Sequence, residues 1–318
     1  MSKTAMPYRR LGAAGIKVSA LSLGGWTTFG ASIDDVDVAA RILRTAFEKG
    51  VNFFDIADVY AKGESEKQMG AVLRQLPRHE LVISSKVYWP MSEDPNDQGL
   101  SRKHIIESVE KSLRRIGTDY LDVYFCHRFD ENVRVEETAR AMDDLIHHGK
   151  ILYWGTSEWT GAQLRDVHAI ADKRNLYAPV VEQPQYSLLA RHKVEGDLLA
   201  QTRSLGMGLV VWSPLASGVL TGKYDDGVPA GSRLSRIDWL RESFLTEEKL
   251  AAVKKFGALA KDAGISRTQL ALAWTLARPG VSSVIMGATS VPQLEENLGA
   301  LDVKVSPELL QKLDALFA

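Results

Sequence analysis

Val51-Asn52-Phe53-Phe54-Asp55-Ile56-Ala57-Asp58-Val59-Tyr60 is the stretch whose reading decides the fold. An apolar run stops at a carboxylate, and a tyrosine follows five residues later. A run of this kind suits a strand buried on both faces, as in a parallel sheet. Asp55 then stands at the strand's C-terminal end and Tyr60 on the loop beyond it. Two later segments repeat the plan: Leu81–Lys86 ends in a lysine, and Tyr120–His127 ends in a histidine. Four proton-bearing groups therefore gather at the ends of three successive strands.

Outward from these strands the chain alternates. Tyr8 to Val18 reads as a β-hairpin turning at Gly12 and Gly15, and Ser19–Gly24 as the first buried strand. A helix from Asp34 to Gly50 is capped by Asp34 and buries Val38, Ile42, Ala46 and Phe47. The helix from Glu64 to Leu76 stops at Pro77. Ser101 opens a helix burying His104, Ile105, Val109 and Leu113, and Val135–His148 is a helix closed by Gly149. His147 and His148 suit its C-terminal dipole better than a ligand role. Strands are expected at Ile151–Ser157, Pro179–Gln183, Gly208–Ser213 and Val281–Met286. Helices are expected at Gly161–Asn175, Glu195–Leu205, Glu247–Ala263, Ser266–Ala277, Val291–Leu301 and Ser306–Phe317. A long glycine-rich loop spans Ser217 to about Thr246. Eight β-then-α units without a linker argue for an α/β fold, a closed (β/α)8 TIM barrel forming one domain over residues 1–318. The expected additions are the N-terminal hairpin, the long loop after strand seven and an extra C-terminal helix. An open doubly wound sheet competes, but no G-x-G-x-x-G follows the first strand.

Composition narrows the function. The 318 residues are 45% hydrophobic and 25% charged, with a net charge of -1, giving no electrostatic case for nucleic acid or an anionic membrane. No apolar stretch approaches the ~20 residues that span a bilayer. Met1–Met6 lacks the apolar core of a signal peptide. The single cysteine, Cys126, excludes an internal disulfide and a multi-cysteine metal site. A cytoplasmic location is the simplest expectation.

Barrel enzymes work at the C-terminal rim of the sheet, where Asp55, Lys86 and His127 end their strands. A tyrosine is a poor acid near neutrality, with a reference pKa of ~10. A lysine ammonium about 4 Å away stabilises the phenolate by ~4 kcal/mol at an effective dielectric of ~20. That lowers the phenol's pKa by at most about 3, and burial takes part of it back. Asp55 would keep Lys86 charged and oriented, and His127 would hydrogen-bond a carbonyl oxygen. Singly, an Asp–Lys pair or a buried tyrosine is commonly structural. Four titratable groups at matching strand ends are not required by structure alone. One histidine and one carboxylate beside a cation make a poor metal site, so no metal is expected. The later strand ends add Gln183 for a carboxamide, Trp212 or Tyr186 to stack on a planar ring, and a helix start at Thr289–Pro292 that suits phosphate. Lys223 and Arg233 on the long loop supply cations.

These residues carry a resemblance to the aldo-keto reductases over nearly the whole chain. Within that family the sequence is most similar to the branch holding the β-subunits of voltage-gated potassium channels and their bacterial relatives. The supporting stretches are Tyr8–Gly12, Leu23–Gly30, Phe54–Tyr60, Gly99–Ile106, Tyr153–Ser157, Trp212–Ala216 and Gly287–Thr289. The resemblance implies a catalytic tetrad of Asp55, Tyr60, Lys86 and His127, with Tyr60 as general acid. It implies NADPH lying across the rim without a Rossmann motif. Trp26, Ser157, Gln183, Trp212, Ser213, Leu215 and Gly218 would surround the nicotinamide and diphosphate, with Asp55, Pro214, Ala216 and Gly287 in the same stretches. Lys223, Arg233, Thr289, Gln293, Glu296 and Asn297 would surround the adenosine half, Arg233 and Thr289 holding the 2′-phosphate. The channel subunits carry asparagine where this chain has His127, which points to a working reductase. Glu158 stands where that branch commonly has a basic residue, against a diphosphate contact there.

The reading is an NADPH-dependent oxidoreductase that reduces an aldehyde or ketone, with Trp26, Tyr60, Tyr88, Trp89, His127 and Phe129 forming the substrate pocket. Two rivals stand beside it: an NADPH-binding redox-sensing or regulatory subunit with slow turnover, and a lyase using Lys86 as a Schiff-base nucleophile. The expected partners are a small carbonyl substrate and, at most, further copies of the chain.

Overall fold

A computed structural model describes residues 5–317, so the expectation for Met1–Met6 falls largely outside the described residues. Strands β1 (Tyr8–Arg10) and β2 (Lys17–Ser19) form the expected antiparallel hairpin. There follow β3 (Leu21–Gly24), α1 (Val36–Glu48), β4 (Phe53–Asp55), α2 (Glu64–Leu73), β5 (Val82–Val87), α3 (Arg102–Ile116), β6 (Leu121–Cys126) and α4 (Val135–His147). The chain continues through β7 (Ile151–Ser157), α5 (Gly161–Arg174), β8 (Val181–Gln183), α6 (Leu199–Ser204) and β9 (Gly208–Val211). Short helices α7 (Arg233–Arg236) and α8 (Asp238–Phe244) precede α9 (Glu247–Asp262), α10 (Arg267–Leu276), β10 (Val281–Met286), α11 (Val291–Leu298) and α12 (Pro307–Leu316). Strands β3 to β10 close into a barrel in chain order, every pair parallel. The chain is therefore a (β/α)8 barrel with its hairpin, and among the described residues no helix is long and apolar enough to cross a membrane.

Side chains alternate along each strand, and the barrel sorts them into two cores. Phe53, Val82, Val123, Phe125, Val181, Val210 and Ile285 pack together inside the barrel. Leu23, Phe54, Ile83, Leu121, Tyr124 and Cys126 join the larger core between the sheet and the helices. The hairpin's Leu11 and Val18 belong to the inner core, so the hairpin stoppers the N-terminal end of the barrel. The stopper sits tightly: a Cβ added to Gly12, whose φ is +55°, would meet the Gly206 carbonyl oxygen at 2.1 Å. The other end is left open.

Several boundaries differ from the sequence reading. The cap of α1 is Asp35, whose Oδ1 accepts from the N–H groups of Asp37 and Val38; Asp34 lies one residue too early to reach them. The buried face of α1 is Ala39, Ile42, Leu43 and Ala46, so Val38 and Phe47 flank it. Helix α2 ends at Leu73, three residues before Leu76, because the chain turns there ahead of Pro77. The stretch from Ser217 to Thr246 is no simple loop, since α7 and α8 bury Leu234, Leu240 and Phe244 against the barrel.

Candidate active site

The period-two alternation that fills the inner core also aims the site. Asp55 stands two residues beyond inward Phe53, His127 two beyond Phe125, Gln183 two beyond Val181 and Trp212 two beyond Val210. Lys86 shares the face of Val82 on β5. These side chains form the uppermost layer inside the open end, as the strand registers Asp55 beside Ser84 and Ser157 beside Gln183 require.

Lys86 Nζ is fully buried and uses all three protons. It donates to Asp55 Oδ2 at 2.6 Å, to the Ile56 carbonyl at 2.8 Å and to the Tyr60 hydroxyl at 3.0 Å. The other oxygen of Asp55 accepts from Ser84 Oγ at 2.8 Å and Gln183 Nε2 at 2.9 Å. Tyr60 opens a single tight turn, Tyr60–Gly63, in which Ala61 and Lys62 take left-handed φ of 48° and 51°. Such conformations cost about 1–2 kcal/mol per residue, and here they directly follow the residue whose hydroxyl must reach Lys86. The His127 ring meets the Tyr60 ring edge-on at 5.8 Å.

Electrostatics correct the sequence estimate for Tyr60. Burial is the largest influence and raises the phenol's pKa above its ordinary value, outweighing the downward pull of Lys86. For Lys86 burial pulls down most strongly, yet Asp55 and Tyr60 together outweigh it and raise its pKa, so the amine stays an ammonium. Burial, then Lys86, then Arg128 hold His127 well below the usual imidazole range. His127 is therefore neutral, and its buried Nδ1 has no hydrogen-bond partner among the described residues.

A cleft of about 1210 Å³ opens above this layer. Asp55, Tyr60 and His127 line its floor, and Lys86 lies buried behind them. Of the other residues expected at a cofactor, Trp26, Ser157, Gln183, Trp212, Ser213, Pro214, Leu215, Gly218, Lys223, Arg233, Gly287, Thr289, Gln293, Glu296 and Asn297 all line the cleft. Ala216 does not, being fully buried beneath the turn that follows β9. In the expected substrate pocket Trp26 and Trp89 reach the cleft, whereas Tyr88 packs edge-on against Trp89 and Phe129 against Trp159. Tyr186 cannot stack on a ligand: it is fully buried and donates its hydroxyl to Glu195.

Polar groups also line the far end of the cleft. The buried hydroxyls of Ser217 and Ser232 have no hydrogen-bond partner among the described residues, and both residues line the cleft. No carboxylate among the described residues pairs with Arg233, whose guanidinium lies 5.6 Å over the Trp26 ring. The start of α11 is less open than its sequence implies. Ser290 Oγ caps the Gln293 N–H, and the Gln293 side chain folds back on the Thr289 N–H and hydroxyl. Glu158 does not line the cleft: it accepts from Trp212 Nε1 at 3.0 Å and from Lys193 Nζ at 2.7 Å, holding the Trp212 ring.

Sequence reasoning passed over Arg128, Ser217, Ser232, Arg236 and Trp239, all on the cleft wall. Arg128 directly follows His127 at a strand end, a position that reads equally as solvated surface. Ser232, Arg236 and Trp239 sit in or beside α7 and α8, where no periodicity announced a helix.

Comparison with known proteins identifies the family. The model of the Aldo/keto reductase family matches residues 20–318. A probable voltage-gated potassium channel subunit beta of Oryza sativa subsp. japonica is 46% identical, over 98% of this chain and 96% of its own. A protein of the same name in Arabidopsis thaliana is 46% identical over 97% and 96%. A putative one in Schizosaccharomyces pombe is 46% identical over 98% and 93%.

Proposed function

The chain belongs to the aldo/keto reductase family, and on that premise we propose that it reduces an aldehyde or ketone to the alcohol with NADPH. The observation that carries the reading is the ammonium of Lys86 within 3.0 Å of the Tyr60 hydroxyl, on the floor of a cleft large enough for a dinucleotide and a small substrate.

A nicotinamide cofactor held in this cleft would supply the hydride for the carbonyl carbon. The remaining work belongs to this chain. Tyr60 gives its phenolic proton to the carbonyl oxygen as charge builds there, and Lys86 stabilises the phenolate left behind. Asp55 holds Lys86 charged. Neutral His127 offers a ring N–H to the same oxygen without competing for the proton. Gln183 spends its Nε2 on Asp55, leaving Oε1 as the acceptor for a carboxamide. Trp212, held by Glu158, presents a rigid aromatic face, and the unpartnered Ser217 and Ser232 hydroxyls with Lys223 and Arg233 suit phosphate oxygens. The domain is one barrel, working in the cytoplasm on a small carbonyl substrate.

Arg233 tests the cofactor. In Arg233→Ala, NADPH binding should weaken by one to two orders of magnitude, since hydrogen bonds to charged groups are worth about 1.5–3 kcal/mol, while NADH binding changes little. Equal losses for both dinucleotides would remove Arg233 from the phosphate role. A second reading follows from the relatives' names, that of a cofactor-binding subunit regulating a partner. Slow turnover across a panel of aldehydes, ketones and sugars, with tightly retained NADPH, would favour it. The geometry speaks against a Schiff-base lyase, because an ammonium with three satisfied protons is no nucleophile.

A further inference from the structure

We propose that the substrate of this site is a carbonyl compound bearing a carboxylate, and that Arg128 is the residue that recognises it; the proposal rests on the reductase reading above. Arg128 directly follows His127 and lines the cleft beside the floor residues. One guanidinium nitrogen donates to the His127 carbonyl at 2.5 Å and lies 3.5 Å from Ser157 Oγ. The guanidinium carbon stands 5.5 Å from the centre of the Trp89 ring at the cleft mouth. No carboxylate among the described residues pairs with it.

Four cationic side chains line the cleft: Arg128, Lys223, Arg233 and Arg236. Two carboxylates, Asp55 and Glu296, join them there, and neither is free. Asp55 is held by Lys86, and Glu296 is engaged by Ser266 and Gln269. Lys223 packs against Gly218, next to Ser217, Arg233 directly follows Ser232, and Arg236 reaches Ser32. Arg128 alone belongs to the reacting end, close enough for its charge to bear on both Tyr60 and His127. A half-buried guanidinium without a counter-ion loses solvation when a substrate fills the cleft. A neutral substrate gives nothing back. A carboxylate does, because the planar fork donates paired hydrogen bonds to it, and the fork lies over the Trp89 ring.

The test compares para-formylbenzoate with para-tolualdehyde, which differ in the charged group, using the NADPH-loaded enzyme. Wild type should show kcat/KM at least about tenfold higher for the carboxylate, carried mainly by KM. In Arg128→Met the ratio should fall to about one, and in Arg128→Lys it should lie between. A wild-type ratio near one, or a ratio unchanged by Arg128→Met, would overturn the proposal. If wild type reduces neither aldehyde, the reductase reading fails, and the anion site is judged separately by calorimetry with para-toluate. Binding weakened about tenfold or more in Arg128→Met upholds the site; no binding to wild type, or equal binding to both proteins, overturns it.

Discussion

Lys86 is the residue on which the floor of the cleft depends. An ammonium buried without solvent is tolerated here because Asp55, the Ile56 carbonyl and the Tyr60 hydroxyl satisfy its protons. The pair with Asp55 is weak evidence of stability in itself, but removing one partner leaves a charge alone in a dry interior. Lys86→Met should therefore destabilise the fold by about 3–5 kcal/mol, measured by denaturant unfolding, and abolish turnover as well. A loss within about 0.5 kcal/mol would mean that water reaches this layer. The phenol leads to a second expectation. Burial raises the Tyr60 pKa above its ordinary value, and reduction needs the protonated form. The profile of kcat/KM for reduction should stay flat through neutral pH and fall only as pH rises past about 10, the reference value for tyrosine. His127, already neutral, should add no limb between pH 6 and 8. A fall centred near pH 7 would show that another group controls the proton. Asp55, Lys86 and His127 were legible in the sequence because each lies at the end of a strand, and Tyr60 because it follows Asp55 by five residues. The direction of the Tyr60 shift was not, since the sequence carries charge but not the depth of burial that outweighs it.

At the scale of elements, alternation did most of the placing. Once Phe53 is buried inside the barrel, Asp55 must point inward, and the same rule sets His127, Gln183 and Trp212. Strand existence and order could be read for this reason, and β7 and β10 could be read to their ends. Helices α7 and α8 could not. Each is no longer than seven residues, too short for a periodic signal, and their burial is decided by the barrel beneath them. The Arg128 position escaped for another reason, as an arginine after a histidine reads equally as solvated surface. Gly70 on α2 shows how a contact between helices imposes a residue. A Cβ there would stand 2.3 Å from the Ile116 carbonyl oxygen at the end of α3. Gly70→Ala should cost about 1–3 kcal/mol despite the better helix propensity of alanine, because backbone has to move. Stabilisation in thermal unfolding would show that α2 and α3 pack less closely.

The whole molecule divides labour between its two ends. The hairpin stoppers one end through Leu11 and Val18, and the cleft opens at the other. There the cleft joins a wall bearing Lys223, Arg233 and Arg236 to a floor of Asp55, Tyr60 and His127, and Trp26 and Trp212 on its lining meet edge-on at 5.7 Å. Removing the single hydroxyl at that floor separates chemistry from everything else the molecule does. The decisive measurement is therefore NADPH oxidation by Tyr60→Phe in the presence of a carbonyl substrate, with NADPH binding followed in parallel by fluorescence. Turnover should fall by about 10²–10⁴-fold, the usual contribution of a general acid, while NADPH affinity stays within about threefold of wild type. Turnover at the wild-type rate would contradict the account.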